Sequence, residues 1–156
     1  MIVRDAKLAD AEAACLVMRR SIAELCVADH GNDEATLSRW LANKKPEAFL
    51  TWLAEPHKAV NVAVEGEAVV GVGLVTDDGE IQLNYVSPDA RFRGVSRALM
   101  RVLEARTAEH GLTRCRLVST ETARRFYREA GYGDTGLPEG RFGTQSAYPM
   151  AKDLTR

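Results

Sequence analysis

The sequence predicts one mixed α/β (α+β) domain, in which a single, mostly antiparallel sheet is flanked by helices. Apolar residues recur at the helical period over residues 9–27, and the pattern changes to strand-like alternation from about residue 59. Three apolar runs separated by tight turns predict an antiparallel meander over 60–86. The strand, helix and strand of residues 80–119 should then form a parallel pair with a right-handed crossover. The length of 156 residues is that of one ordinary domain.

The N-terminal part of the chain is predicted to be a short strand at 2–5 followed by helices. The first helix spans 9–27 and has acidic residues in its first turn. Its inward face is predicted to consist of Ala9, Ala13, Leu16, Val17, Ile22 and Leu25. Residues 28–33 are predicted to be a polar loop, and two short helices follow at 34–43 and 47–54.

Turn residues and changes of period divide the rest of the chain. Gly, Asp and Pro residues interrupt the apolar runs at the positions where strands and helices should end. The predicted elements are strands at 60–65, 68–76 and 80–86, a helix at 95–110, a strand at 114–119, a helix at 120–130 and a strand at about 146–153.

The composition is that of a soluble globular protein. Apolar residues make up 46% and charged residues 28%, which excludes a wholly disordered chain. The net charge of -1 excludes a surface adapted as a whole to nucleic acid. No run approaches the ~18 apolar residues of a membrane span, and the first residues lack the pattern of a secretory signal. We therefore expect a cytoplasmic protein with neither nucleic acid nor a membrane as partner.

The cysteines and histidines predict neither a disulfide framework nor a metal site. Three cysteines are an odd number, and Cys15 and Cys26 lie about 16 Å apart on one predicted helix, too far for a disulfide. The three histidines are scattered, and no Cys-x-x-Cys motif is present. We expect no metal.

The near-neutral net charge conceals a division along the chain. Residues 1–90 carry 8 basic and 15 acidic side chains, whereas residues 91–128 carry 10 basic and 3 acidic ones. All ten basic residues of the second block are arginines, which bind phosphate in a bidentate fork. A local site for a phosphorylated ligand and a solvated helix face both explain such a block.

Residues 84–100 place a strand end, an arginine-containing turn and a helix start next to one another. The first turn of a helix has backbone N–H groups without intrahelical partners and carries the positive end of the helix dipole. Gly94 allows a ligand to approach closely, and Arg91, Arg93 and Arg97 add positive charge. The turn therefore predicts an anion site suited to a diphosphate. Neither a G-x-x-x-x-G-K-[ST] loop nor a complete dinucleotide fingerprint is present.

Two segments resemble the GNAT superfamily of N-acetyltransferases. RFRGVS (91–96) is similar to the [RQ]-x-x-G-x-[GA] signature, which holds the pyrophosphate of acetyl-CoA in that family. TARRFYREAGY (122–132) is similar to the family's A-x-x-[LF]-Y-x-x-x-G-[FY] segment, with Ala123, Phe126, Tyr127, Gly131 and Tyr132 in register. The earlier elements also fit, so the resemblance covers essentially the whole chain. Ser96 stands where the family usually has Gly or Ala, and Thr120 stands where many members have Asn.

The resemblance implies acetyl-CoA as acyl donor. It implies that the two parallel central strands splay apart and that the pantetheine arm lies along the first of them, 80–86, as an added strand would. A backbone N–H at the end of this strand would bond the thioester oxygen. The implied cofactor-binding residues are Tyr85 and Val86 near the thioester, and Arg91, Phe92, Arg93, Gly94, Val95, Ser96, Arg97, Thr120 and Tyr127.

The resemblance further implies direct transfer of the acetyl group to a primary amine of a small molecule or peptide in a ternary complex. Tyr127 matches the family's general acid, with a ring packed in the core as the alternative. Glu80, Gln82 and Asn84 alternate with apolar residues, so we expect all three on one face of their strand. Glu80 is the candidate base, and Gln82 and Asn84 are candidates for binding the acceptor. In the other interpretation Glu80 is a solvated strand end and water is the base.

Two further expectations concern function and partners. A non-catalytic acyl-CoA-binding or regulatory module on the same fold is the alternative to an enzyme. The acidic balance of residues 1–90 suggests a cationic acceptor, and segments 27–58 and 133–147 are expected to line its pocket. The resemblance is also compatible with a homodimer.

Overall fold

The computed structural model describes residues 1–141 and 144–155, with only the backbone of residues 144–146. The strands are β1 (Ile2–Asp5), β2 (Lys58–Glu65), β3 (Ala68–Thr76), β4 (Glu80–Val86), β5 (Arg114–Ser119), β6 (Gly133–Asp134), β7 (Glu139–Arg141) and β8 (Thr144–Asp153). The helices are α1 (Ala11–Arg20), α2 (Val27–His30), α3 (Glu34–Leu41), α4 (Pro46–Ala54), α5 (Val95–Glu109) and α6 (Arg124–Glu129).

The strands form one sheet in the order β1-β2-β3-β4-β5-β8-β6, and β7 pairs with β8. Every described strand pair is antiparallel except β4 and β5, which are parallel. The predicted mixed, mostly antiparallel sheet with helices around it is confirmed. The described backbone pairs β4 with β5 only at Glu80–Arg116 and Ile81–Leu117, so the two strands separate beyond this point.

Helices cover the sheet on both faces. α1 and α4 pack on one face, where Met18 and Phe49 are fully buried in the core. α5 packs on the other face against β3. A Cβ at Gly71 would lie 2.7 Å from Val95 Cγ1, and a Cβ at Gly73 would lie 3.1 Å from Leu103 Cδ1. These two glycines therefore allow α5 to lie directly on the sheet.

The predicted helix at 9–27 is interrupted and differs in phase from the prediction. A 3₁₀ turn precedes α1, and a π-helical turn, Ser21–Leu25, follows it before α2 begins. The buried residues of α1 are Ala11, Ala14, Cys15, Val17 and Met18. Val17 and Ile22 are inside as predicted, whereas Leu16 is 59% exposed. The error has a physical cause: small residues are frequent all around this helix, so the inward stripe is hard to identify.

Two other segments also differ from the prediction. Residues 28–33 are not simply a polar loop, because α2 includes His30, which is buried with its Nε2 2.9 Å from the Ile22 carbonyl oxygen. The last helix begins at Arg124 rather than at Thr120, whose Oγ1 accepts a hydrogen bond from the Ala123 N–H at 3.1 Å. The other predicted elements are confirmed, with ends that differ by a few residues.

Two observations concern the remaining structure. β6 and β7 were not predicted, and residues 142–143 of the segment expected to line an acceptor pocket lie outside the described residues. Within the described part of the chain, no helix has both the length and the apolar character that crossing a membrane requires.

Candidate active site

A β-bulge at Gln82 determines which way the side chains of β4 point. Leu83 pairs with Leu74, but Ile81 pairs with Val75, so β4 contains one extra residue between these pairs. Leu83 consequently packs in the α1 core and Ile81 in the core on the α5 face. The expectation that Glu80, Gln82 and Asn84 share one face is therefore wrong, because the bulge reverses the alternation between Glu80 and Asn84.

A cavity of about 500 Å³ lies where β4 and β5 separate. The turn before α5, the end of β4 and the start of α6 contribute its walls. It is lined by most of the residues expected to bind the cofactor: Tyr85, Val86, Arg91, Phe92, Gly94, Val95, Ser96, Arg97, Thr120 and Tyr127. Gln82 and Asn84 also line it. The structure thus brings together residues from β4, α5 and α6 that are distant in sequence.

Arg93 is the expected cofactor residue that does not line this cavity. Its guanidinium forms an ion pair with Glu65 at 2.9 Å and donates to the Asp89 carbonyl oxygen at 3.1 Å. Arg93 thus connects the turn before α5 to β2 and to the 3₁₀ turn at Pro88–Ala90.

The turn before α5 has the backbone conformation of an anion-binding loop. Gly94 has a φ of 79° and precedes a helix without acidic residues in its first turn. Phe92, two residues before it, also has a positive φ, 63°, and is 91% exposed. The Arg91 guanidinium lies 4.7 Å from the centre of the Phe92 ring. Positive charge and helix N–H groups without intrahelical partners therefore coincide in one part of the cavity wall.

Tyr127 also lines this cavity and is buried. Asn84 Nδ2 donates a hydrogen bond to its hydroxyl oxygen at 3.1 Å. Burial, more than any other effect, raises the pKa of Tyr127 to about 12, so the hydroxyl stays protonated at neutral pH. Asn84 Oδ1 is buried and has no hydrogen-bond partner among the described residues. The site thus offers a phenol proton and an amide acceptor side by side.

Tyr85 and Cys26 also line this cavity. The Tyr85 hydroxyl accepts a hydrogen bond from Trp40 Nε1 at 3.2 Å, and burial raises its pKa. Burial likewise raises the pKa of the Cys26 thiol to about 12, which keeps it a thiol rather than a nucleophilic thiolate.

Glu80 lies on the opposite face of β4. One carboxylate oxygen accepts from Gln82 Nε2 at 2.9 Å, and the other is 3.4 Å from the Arg116 guanidinium. It lines a second cavity of about 400 Å³, which is bounded partly by α3, α4 and the segment between them. Gln82, Leu83 and Thr120 are among the residues that line both cavities, so the two adjoin at the separation of β4 and β5.

The second cavity contains residues from the segments 27–58 and 133–147. Asp29, Trp40, Lys44, Trp52 and Lys58 come from the first of them, and Thr135, Arg141 and Ala147 come from the second. The Asp29 carboxylate accepts from the backbone N–H groups of Glu121 and Thr122, at 2.6 and 3.3 Å. This contact ties α2 to the turn before α6.

The family model for the acetyltransferase (GNAT) domain matches residues 26–154. The chain belongs to the GNAT acetyltransferase family. The match includes the turn before α5, the splayed strands and Tyr127, and it covers every described residue that lines the two cavities except Ser21 and Leu25. No curated protein matches the chain.

Solved GNAT structures share the fold over nearly the whole chain. A GCN5-related N-acetyltransferase from Rhodopseudomonas palustris superposes with a TM-score of 0.86 at 22% identity, covering 98% of this chain and 95% of the other. PaiA N-acetyltransferase from Thermoplasma acidophilum, solved with coenzyme A, gives 0.84 at 18%, covering 97% and 98%. Aminoglycoside 6'-N-acetyltransferase from Enterococcus faecium gives 0.74 at 15%, covering 100% and 98%. At these identities the likeness establishes the fold.

Several residues of this GNAT site were not identified from the sequence. Asp29 was assigned only to a polar loop, and Lys44 and Cys26 were not considered as site residues. No motif marks any of them, because each reaches its cavity through the packing of helices α1 to α4 against the sheet. The bulge at Gln82 likewise has no signal in the alternating pattern of β4.

Proposed function

We propose that this protein is an N-acetyltransferase that moves the acetyl group of acetyl-CoA to a primary amine of a small molecule or peptide. Attack is direct, in a ternary complex. The observation that carries the proposal is that the Tyr127 hydroxyl and the turn before α5 line one cavity along the unpaired edge of β4. Membership of an acetyltransferase family supports acyl transfer, and the coenzyme A bound to the T. acidophilum neighbour supports the class of donor.

The diphosphate of the donor binds at the N-terminus of α5. The backbone N–H groups of Val95, Ser96 and Arg97 belong to the first helical turn, where no carbonyl of the same helix is available to them. Arg91 and Arg97 add charge, and the Ser96 hydroxyl adds a further donor. Arg93 lies outside the cavity and stabilises the turn through its ion pair with Glu65.

The pantetheine arm lies against β4. From Gln82 onward β4 has no pairing with β5 in the described backbone, so the arm's amides can pair there as an added strand. Val86 ends this edge, and a backbone N–H near it would donate to the thioester oxygen as negative charge develops. This alignment places the thioester next to Asn84 and Tyr127, which line the same cavity.

Tyr127 supplies the proton that the leaving group needs. When the amine nitrogen bonds to the acetyl carbon and the carbon–sulfur bond breaks, sulfur leaves as a thiolate. The Tyr127 hydroxyl, protonated because burial raises its pKa to about 12, donates to this sulfur. Tyr127 then regains a proton from solvent, while the proton that the amine loses leaves by a separate base, and the cycle is complete.

Asn84 and Glu80 act on the amine. The Asn84 Oδ1 atom is a buried acceptor that can receive an N–H of the attacking amine and orient its lone pair. Glu80 lines the adjoining cavity, from which the amine enters, and takes up the amine's proton. An amine such as that of lysine, with a pKa of about 10.4, is almost entirely protonated at pH 7 and therefore needs such a base.

The decisive experiment mixes the protein with acetyl-CoA and a panel of amines and follows free thiol, with coenzyme A binding measured separately by calorimetry. An N-acetyltransferase releases thiol only when a suitable amine is present. Cofactor binding without amine-dependent thiol release would instead identify an acyl-CoA-binding or regulatory module.

A pair of variants tests the phosphate site within the same experiment. Gly94 and Gly111 flank α5 at its two ends, both have positive φ, and both have open space where a Cβ would lie. Gly94→Trp should weaken coenzyme A binding at least about 10-fold, because the ring fills the diphosphate site. Gly111→Trp carries the same backbone strain and should leave affinity within about 2-fold. Equal affinities of the two variants would contradict the proposed site.

A further inference from the structure

One part of the second cavity is lined by aromatic and aliphatic side chains that pack together. Leu74 and Leu83 belong to the core on the α1 face of the sheet. Trp52 and Tyr85 pack against this core, and Tyr85 also packs against the cluster that contains Trp40. All five residues line the second cavity, and we call them the aromatic wall. Since Tyr85 also lines the first cavity, the aromatic wall extends to the place where the thioester is proposed to lie.

The two indole rings of the aromatic wall are held by the protein itself. Trp40 is buried, and its Nε1 donates to the Tyr85 hydroxyl oxygen at 3.2 Å. The ring of His30 meets it edge-on, with 6.2 Å between ring centres. Trp52 meets the buried ring of Phe49 edge-on at 6.3 Å. The apolar surface is therefore formed before a ligand binds, which reduces the entropic cost of binding.

The charged side chains of the same cavity already have partners within the protein. Six of them are described in its lining. Their contacts include ion pairs of Lys58 with Glu55 and of Arg116 with Asp78, both at 2.9 Å, an ion pair of Arg141 with Glu139 at 3.5 Å, and hydrogen bonds of Lys44 with Asn43 at 2.6 Å, of Glu80 with Gln82 at 2.9 Å and of Asp29 with the Glu121 N–H at 2.6 Å. An apolar group on the acceptor can be buried against the aromatic wall without displacing any of these contacts.

We infer that the acceptor is an arylalkylamine, a primary amine joined by a short chain to an aromatic ring, and that this ring binds against Trp40 and Trp52. The inference rests on the proposed function, since it places the acceptor in the cavity that adjoins the thioester. The amine points to the separation of β4 and β5, on the side of Glu80, and the chain is short because Tyr85 brings the aromatic wall close to this point. Aromatic rings gain both from burial and from edge-to-face or offset contacts with indoles. A volume of about 400 Å³ is sufficient for such a molecule.

The kinetic test compares acceptors that differ in the group attached to the amine. They are phenethylamine, cyclohexylethylamine, ethylamine, ethanolamine and spermidine, and kcat/KM for each is measured from the release of free thiol. Phenethylamine should exceed ethylamine, ethanolamine and spermidine by about 10-fold or more, because only its ring is buried against the aromatic wall. It should exceed cyclohexylethylamine by about 3-fold or more, because the saturated ring is similar in size but lacks the aromatic contacts.

Variants of Trp52 test whether the aromatic wall causes this preference. Trp52→Leu should reduce the advantage of phenethylamine over ethylamine to about 3-fold or less, with kcat/KM for ethylamine itself changed by no more than about 3-fold. Trp52→Phe keeps an aromatic ring and should retain most of the advantage. Leu50→Ala is the matched control, since Leu50 lies on the same helix, is 40% exposed and is not among the residues described in the lining. It should behave as wild type.

Binding can be measured without turnover, because the chain has two tryptophans and both line this cavity. Their fluorescence therefore responds to its occupancy. Phenethylamine added to the protein with coenzyme A bound should change the emission in a saturable way. The affinity obtained from this titration should fall about 5-fold or more in Trp52→Leu and should stay within about 2-fold in Leu50→Ala.

The inference is overturned if phenethylamine is no better an acceptor than ethylamine, ethanolamine or spermidine, or if it only equals cyclohexylethylamine. It is also overturned if Trp52→Leu lowers kcat/KM equally for all acceptors, which indicates a structural role. Thiol release without an aromatic preference would leave the proposed function in place. Saturable, Trp52-dependent binding of phenethylamine without thiol release would contradict the proposed function and support the aromatic site, whereas the absence of both would overturn both.

Discussion

Asn84 Nδ2 lies 3.1 Å from the Tyr127 hydroxyl oxygen and joins β4 to α6 across the cavity. This hydrogen bond fixes the phenol by its oxygen, so the hydroxyl proton is directed elsewhere. It also leaves Asn84 Oδ1 as a buried acceptor. The relationship depends on the bulge at Gln82, which turns Asn84 toward the α5 face of the sheet rather than toward Glu80.

Tyr127→Phe should lower kcat by about 10²-fold or more and leave coenzyme A affinity within about 3-fold, because it removes only the donated proton. Tyr132→Phe is the matched control: Tyr132 is a buried neighbouring ring whose hydroxyl contacts Glu104, outside the cavity. It should retain turnover within about 3-fold. Steady-state kinetics and calorimetry make the comparison. Unchanged turnover in Tyr127→Phe, with product release shown not to limit the rate, would exclude the acid role.

The raised pKa of Tyr127 predicts a pH range over which kcat should not fall. A phenol with a pKa of about 12 stays protonated up to about pH 11, so its ionisation causes no loss of kcat between pH 7 and 10. The pH dependence of kcat measures this directly. A decrease near pH 9 that disappears in Tyr127→Phe would contradict the stated environment of the ring.

Glu80→Gln should lower kcat/KM for the acceptor by about 10- to 100-fold if the carboxylate takes up the amine's proton. Asp78→Asn is the control, because Asp78 and Glu80 both pair with Arg116. An effect that arises through Arg116 would appear in both variants. A kcat/KM that Glu80→Gln leaves unchanged would identify water as the base and Glu80 as a solvated strand end.

The sequence predicted the elements whose signals are local. The strand β4, the turn before α5 and the start of α5 follow from alternation, from Gly94 and from helical period, and the proposed anion site rests on them. Tyr127 was found through a motif. These features are encoded within about a dozen neighbouring residues each, which is why one sequence was sufficient.

The features that escaped prediction are set by contacts between distant segments. The bulge at Gln82 depends on how β4 registers against β3, and the burial of Lys44 depends on α1 and α4 packing around it. Arg93 was expected to face the ligand but pairs with Glu65 on β2. Local alternation and charge do not indicate such distant partners. The sequence therefore did not show which residues line the first cavity and which line the second.

Gly71→Ala should weaken coenzyme A binding as well as stability. Its Cβ would lie 2.7 Å from Val95 Cγ1 and 2.9 Å from Leu99 Cδ1, so the first turn of α5 must move away from the sheet. We expect a loss of about 1–3 kcal/mol in the free energy of unfolding and a coenzyme A affinity reduced several-fold. Gly73→Ala approaches Leu103 at 3.1 Å, further along α5, and should reduce stability less and affinity hardly at all. Denaturant titration measures the change in stability, and calorimetry measures the change in coenzyme A affinity. Equal coenzyme A affinities of Gly71→Ala and Gly73→Ala would contradict the link between the sheet contact of α5 and the diphosphate site.

Lys44→Met should stabilise the ligand-free protein at pH 7. The pKa of Lys44 is lowered from 10.5 to about 8 in the folded state, so the unfolded chain binds more protons between these values. Below pH 8 the buried ammonium of Lys44 therefore lowers the free energy of unfolding of the wild type. This destabilisation disappears as the pH rises to about 10.5. A shift of this size corresponds to about 3 kcal/mol, which is the upper limit of the gain expected from Lys44→Met at pH 7.

The measurement is the difference in unfolding free energy between Lys44→Met and the wild type from pH 7 to 10. Cys15, on α1, faces Lys44, and burial raises its thiol pKa, which lowers stability at high pH. The series is therefore run with Cys15→Ala in both proteins. The other charged residues described in the lining of this cavity are common to both proteins. They are the carboxylates Asp29 and Glu80 and the cations Lys58, Arg116 and Arg141. The difference should shrink as the pH rises, and Lys45→Met, at the exposed neighbour, should show no such trend. A difference that stays constant over this range would mean that Lys44 is not desolvated in the folded protein.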